Sequence, residues 1–212
     1  MGVIRVDLFT TLDGVAQAPG GPEEDPEGGF RFGGWQAPLV DEQLGEWVGD
    51  NLRDLDALLL GRRTYDIFAD YWPLQTEGPD TGIATLFNRV PKYVVSRNRD
   101  LELPWADSTL LGPDLASDIG GLRERHEQVH VIGSLNLVQT LVAERLFDEL
   151  VLWVYPIVLG QGKRAFEPGD MAVNLRLIEP ARTSAKGTVQ LRYALAEGVP
   201  EIGDMSQRDQ AT

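Results

Sequence analysis

The sequence predicts one α/β domain: a mostly parallel central sheet flanked by helices, closed by an antiparallel hairpin near the C-terminus. Three observations predict it. Short apolar runs alternate with stretches of helical periodicity along most of the chain. Turns containing Gly or Ser follow those runs. The last two strand candidates alternate apolar and polar residues around Ala185-Lys186-Gly187, as a hairpin would.

Each element follows in order. Val3 to Phe9 reads as a buried strand interrupted by the polar Asp7, ending in the turn Leu12-Asp13-Gly14. Ala18 to Gly34 is a long loop rich in Gly, Pro and acid. Asp41 to Leu52 places Leu44, Trp47, Val48 and Leu52 on one helical face. Asp56 to Leu60 is an apolar strand, and Arg62 to Trp72 a helix with Tyr65, Phe68, Ala69 and Trp72 on one side. A short helix over Thr81–Asn88 precedes a strand over Lys92–Ser96 and a shorter one over Thr109–Leu111. Asp114 to Glu127 reads as a helix weakened by Gly120-Gly121. Val129 to Ile132 is a strand that turns at Gly133-Ser134 into a helix carrying Val138, Leu141, Val142 and Leu146. Glu149 to Leu159 is read as one long strand, with Pro156 implying a bulge or an edge. Gly160 to Arg164 reads as a flexible basic turn, and Val173–Ile178 with Thr188–Leu195 as the hairpin. The domain is expected to span residues 1–197, with 198–212 a loose polar tail.

Composition narrows the function. The net charge of −14 argues against nucleic acid, which needs a basic face. No apolar run approaches the length of a membrane span, so no membrane is expected. The start MGVIRVDLFTTLDG lacks the pattern of a secretory signal, and a chain without cysteine suits the cytoplasm. The two histidines, His126 and His130, are too few for a His-rich metal site and read as surface or structural residues.

Against that acidity the basic turns stand out. Gly61-Arg62-Arg63-Thr64, Ser96-Arg97 and Gly133-Ser134-Leu135 each follow a strand. Ligands of open α/β sheets bind outside the carboxyl ends of strands, so the three turns would share one rim. Guanidinium groups suit phosphate, and a helix N-terminus with unpaired N–H groups suits a pyrophosphate. Gly133-Ser134 fits such an anion site and fits an ordinary βα turn with Ser134 as N-cap equally well.

The motifs in this order resemble the dihydrofolate reductase-like family and, within it, the reductase domain of riboflavin biosynthesis in its stand-alone bacterial form. The resemblance is carried by Leu12-Asp13-Gly14, Gly61-Arg62-Arg63-Thr64-Tyr65, Lys92 to Arg97, Val131 to Ser134, Asp148-Glu149-Leu150 and Pro156 to Arg164, with Gly33-Gly34-Trp35 closing the loop. It implies NADPH as cofactor. Arg62 and Thr64 would hold its phosphates, Ser96 and Arg97 its 2′-phosphate, and Gly133, Ser134 and Leu135 its pyrophosphate. Ser134 stands where the family usually has a second glycine, and Trp153 near a position where dihydrofolate reductases usually place a threonine.

Trp35 to Asp41 resembles the Trp…Pro…acid run of those enzymes. Asp41 is therefore a candidate proton donor or substrate anchor, and also a candidate N-cap, since one residue could do both jobs. Trp35 and Asp13 are candidate substrate contacts, Asp13 also a turn residue or loop anchor. The loop would act as a lid, its aromatics Phe30, Phe32 and Trp35 covering an apolar ring, or else be a solvated insertion. The reading is an NADPH-dependent reductase of a small heterocycle, the alternative a nucleotide-binding protein without turnover. A homodimer is expected from the resemblance and from the apolar strand Leu150–Leu159 at a sheet edge.

Overall fold

The computed structural model describes residues 1–167, 169 and 172–204. Its strands are β1 (Val3–Thr11), β2 (Ala57–Gly61), β3 (Lys92–Val95), β4 (Ser108–Leu110), β5 (Gln128–Ile132), β6 (Glu149–Tyr155), β7 (Leu175–Leu177), β8 (Arg182–Thr183) and β9 (Val189–Leu195). The helices are α1 (Glu42–Leu52), α2 (Arg62–Tyr71), α3 (Thr81–Arg89), α4 (Leu115–Arg125) and α5 (Leu135–Ala143). All nine described strands lie in one sheet of order β4-β3-β2-β5-β1-β6-β9-β7, with β8 also on β9. The pairs from β4 to β6 are parallel, and those made by β9 are antiparallel.

β1 occupies the middle because its sequence tolerates burial on both faces. Ile4, Val6 and Leu8 point to one side, where they meet Val138, Leu141 and Val142 of α5 and Ile119 and Leu122 of α4. The opposite side carries Arg5, Asp7 and Phe9. There the core continues through Leu58, Leu60, Tyr65, Phe87 and Trp105, and then through Val15, Phe30, Trp35, Leu44, Trp153 and Tyr155. Asp41 caps α1 by accepting from Leu44 N at 2.8 Å, and Asp114 caps α4 by accepting from Ser117 N at 3.1 Å.

Three expectations change. The strand after Asp148 stops at Tyr155, since Pro156 has no N–H to continue the ladder and Ile157 N turns back to Tyr155 O at 2.8 Å. β6 is not an edge: β1 covers one side and β9 the other, so it leaves no apolar edge for a second subunit. The hairpin's first arm is broken into β7 and β8 around Glu179-Pro180. Gly160 to Arg164 is not a free turn either. Val15 bridges Arg164, Ala16 N donates to Lys163 O at 2.9 Å and Ala165 N to Gly14 O at 2.9 Å. Of the polar stretch 198–212, residues 205–212 lie outside the described residues.

Gly162 makes that seam possible. Its φ is 118°, and a Cβ there would sit 2.7 Å from Val15 Cγ1 and 2.8 Å from Phe30 Cε2. Both neighbours are buried. Gly162→Ala should therefore destabilise the fold by about 1–3 kcal/mol, since neither can retreat from a packed core. Thermal melting followed by circular dichroism checks this, and an unchanged midpoint would contradict it.

Candidate functional site

The turns after β2, β3 and β5 lie side by side because those strands are neighbours. Together they line one cleft of about 2140 Å³, larger than a single small-molecule pocket. One end is polar: Gly61 to Thr64, Ser96 to Arg99 and Gly133 to Asn136. The other end holds Phe9, Val48, Asn51, Leu52 and Trp153. Phe9 stacks on Trp153 with ring centres 5.9 Å apart.

The polar end is held by Ser134. Its φ and ψ, 51° and 48°, are left-handed, as is Gly133 at φ 65°. In this conformation its hydroxyl does not cap α5, contrary to expectation. Instead Oγ accepts from Gly61 N at 3.0 Å, while Ser134 N donates to Thr64 Oγ1 at 3.0 Å. The two bonds place the N-termini of α2 and α5 against each other. First-turn N–H groups of both helices have no acceptor within their own helix, and both dipoles present their positive ends to one rim.

The arginines are not equivalent. Arg62 Nε donates to Asp66 at 2.6 Å along α2. Arg63 pairs with Glu27 and lies 3.6 Å from Asp25. Ser96 Oγ accepts from Asn98 N at 3.1 Å, shaping the turn before Arg97. Arg97 is exposed at the cleft wall and has no hydrogen-bond or ion-pair partner among the described residues.

The RibD C-terminal domain model matches residues 3–189. The chain belongs to that family. YyaP of Bacillus subtilis (strain 168), an uncharacterised protein, is 28% identical over 197 residues, covering 90% of this chain and 93% of YyaP. A solved structure from Shewanella sp. PV-4, of a protein assigned to riboflavin biosynthesis, has a TM-score of 0.65 at 20% identity, covering 92% and 99% of the two chains. Dihydrofolate reductase from Enterococcus faecalis, solved with NADP(H), has a TM-score of 0.55 at 15% identity, covering 92% and 98%. At such identities the two structures establish the fold, which is dihydrofolate reductase-like.

In this RibD C-terminal domain the Gly/Pro-rich loop is a wall pinned to the body. The buried Gln17 donates through Nε2 to Asp25 O at 2.9 Å and Glu27 O at 3.0 Å, and its Oε1 accepts from Lys163 N at 2.9 Å. Lys163 Nζ reaches Asp25 at 2.6 Å and Glu27 at 2.5 Å. Residues 18–25 line the cleft, but Phe30, Phe32 and Trp35 do not. Trp35 is buried with its Nε1 donating to Gln17 O at 2.8 Å and its ring edge-on to Tyr155. It supports the loop from beneath and does not face the cleft.

Asp41 and Asp13 also stand outside the cleft lining. Asp41 Oδ1 caps α1, and Oδ2 accepts from Lys186 N at 3.0 Å. The Leu44 N–H foremost, with that of Lys186, holds its carboxyl below the usual carboxylate range. Such a group surrenders a proton more readily than it keeps one. Asp13 is a loop anchor: it accepts from Thr11 at 2.6 Å, Leu159 N at 3.2 Å and Gly160 N at 2.8 Å. Burial pushes its carboxyl up, but these bonds together outweigh that and bring it below the ordinary value. In the loop wall Glu24 behaves oppositely. Burial raises its pKa, although it accepts from Gly20 N at 2.7 Å and Gly21 N at 3.1 Å.

The sequence reading missed the floor of the cleft. Asn51 Nδ2 donates to Asp7 Oδ1 at 2.7 Å. Asp7 Oδ2 lies 2.8 Å from Nδ1 of His130, which is fully buried on β5. His130 Nε2 is 3.3 Å from Arg5 Nη1, and Arg5 pairs with Glu149 at 2.9 Å. Two signals were present: the charged Arg5 and Asp7 in one otherwise apolar strand run, and His130 in another.

The loop clamp is testable by pH. Lys163, then Arg63, holds the Glu27 carboxyl below its ordinary 4.5. A folded pKa below the unfolded one stabilises above the unfolded value and is lost as pH falls through the folded one. Amide protection factors for residues 19–29 should therefore stay constant from neutral pH to about 4.5 and then drop. Glu27→Gln should show low protection already at neutral pH. Protection that is independent of both changes would remove the clamp.

Proposed function

We propose that this protein is an NADPH-dependent reductase of a small heterocycle, a ribosylamino-type aminopyrimidine or a pterin relative. One observation carries the reading: two helix N-termini and an unpartnered arginine converge on one end of a cleft whose other end is aromatic and apolar. A dinucleotide with an extra phosphate needs the first end, and a ring system next to it needs the second.

The residues fit the cofactor. Gly133 packs its bare Cα beside Thr64, and its φ of 65° strains any residue with a Cβ. The N–H groups of Leu135 and Asn136, at the start of α5, would meet the pyrophosphate. Ser134 and Thr64 serve this site by bonding to each other's turns. Arg62 stands at the start of α2 for a phosphate, and Ser96 and Arg97 would take the 2′-phosphate. Bound NADPH supplies a hydride to a C=N or C=O carbon. The accompanying proton must come from elsewhere, and Glu24, which lines the cleft and whose carboxyl burial raises, suits that task better than Asp41, which stands outside the lining. Asp41 then acts through α1 and the Lys186 turn, as a positioning residue.

Arg97→Ala should weaken NADPH binding about tenfold or more while leaving NADH nearly unchanged, because only the former has the 2′-phosphate. Intrinsic tryptophan fluorescence would read both titrations. Equal losses would take Arg97 out of this role. Oxidation of NADPH on adding candidate heterocycles, followed by absorbance, separates a reductase from a protein that only binds the nucleotide. In that assay Glu24→Gln should lower turnover, and Asp41→Asn should leave it intact. A large loss in Asp41→Asn with unchanged melting would restore Asp41 as the acid.

We also propose a homodimer. β6 no longer motivates it, but the β7 edge carries exposed Leu175, Leu177 and Ile178, an apolar strip that pairing would cover. Light scattering at micromolar concentration should give twice the chain mass, and a monomer mass would end the proposal.

A further inference from the structure

The polar chain beneath the cleft has a direction. Arg5 is a guanidinium and can only donate. Its Nη1 faces His130 Nε2 at 3.3 Å, so that nitrogen must carry the lone pair. The proton of the neutral imidazole then sits on Nδ1, 2.8 Å from Asp7 Oδ2. The two atoms face each other without forming a hydrogen bond, and neither has a hydrogen-bond partner elsewhere among the described residues. A bare Nδ1 lone pair against a carboxylate oxygen would repel, which again requires the proton there. Asp7 is left as an acceptor. Its Oδ1 takes Nδ2 of Asn51 at 2.7 Å.

That contact orients the Asn51 amide. With Nδ2 committed inward, Oδ1 is the group left for the cleft, and it accepts no hydrogen bond from any described residue. Asn51 sits on α1 one turn from Val48 and lines the cleft with the stacked Phe9 and Trp153, so with Asp7 it supplies the polar groups amid the cleft's apolar end. The backbone carbonyl of Asn51 is held as well, accepting from Arg5 Nη1 at 3.3 Å. The residue is thus fixed through both its amide groups by one buried network.

We infer that Asn51 is the specificity-determining residue of the substrate end, a fixed carbonyl acceptor that selects a ring bearing an N–H or amino donor. Asp7, His130 and Arg5 are positioning residues that set the polarity of its amide. A ring offering only acceptors there leaves a polar contact unmade and faces lone pair against lone pair. The inference rests on the reductase reading only in placing the substrate at the aromatic end.

The test uses diaminouracil and 1,3-dimethyluracil, a ring with no N–H or amino donor, as probes, with binding to the full chain followed by tryptophan fluorescence. The wild-type protein should hold diaminouracil about tenfold more tightly than 1,3-dimethyluracil. Asn51→Ala leaves room for water to satisfy Asp7 and should remove that preference. Asp7→Asn keeps Asn51 but lets its amide turn over, and should also remove the preference. If Asp7→Asn does not fold, as melting will show, Asn51→Ala decides alone. Equal affinity for the two probes in the wild type, no binding of diaminouracil, or a preference that survives in Asn51→Ala overturns the assignment. NADPH titrated into the same samples reports on the reductase reading separately.

Discussion

The site depends on two hydrogen bonds made by one serine. Ser134 adopts a left-handed backbone that costs a side-chain-bearing residue energy. In return its hydroxyl and its N–H fasten the turn after β5 to the turn after β2. Without them the starts of α2 and α5 would be neighbours only through their strands. With them the two sets of unpaired N–H groups form one surface. A serine at a left-handed position where glycine is the easier residue is thus a structural exchange, in which conformational ease is given up for a cross-link.

The second organising feature is the central position of β1. It lies between two parallel strands, and its two faces do different work. One face is apolar from Ile4 to Leu8 and makes the main core with α4 and α5. The other places Arg5, Asp7 and Phe9 in succession toward the open cleft. Burying Arg5 and Asp7 would be costly if they were unpaired. Glu149, His130 and Asn51 offset that cost by supplying partners at each step.

Much of this was legible in the sequence. Strand and helix periodicity located nearly every element, because each face is either buried or solvated over several residues. The three turns at the sheet rim were legible because Gly, Ser and Arg after an apolar strand are locally distinctive. What escaped was pairing at long separation. Nothing local in Gln17 announces that its amide ties Asp25, Glu27 and Lys163 together, and nothing in Trp35 tells whether its indole faces a ligand or the core. The end of β6 was misplaced for a related reason: Ile157, Val158 and Leu159 are apolar enough for a strand, but Pro156 cannot donate and Ile157 turns back. Asp41 shows the limit for single residues, since a helix cap and a proton donor look alike until both oxygens are found occupied.

Arg97 projects from a chain whose net charge is −14. At low ionic strength the whole molecule repels an anionic ligand over tens of ångströms, while the arginine rim attracts it only at short range. Added salt shortens the repulsive reach before it weakens the close contact, because the Debye length falls to about 10 Å at 0.1 M. Encounter with a polyphosphate would then quicken as salt is added, and the bound state would at the same time loosen. Stopped-flow traces would separate the two as opposite trends in association and dissociation, and an association rate that only fell with salt would show that the rim already dominates the far field.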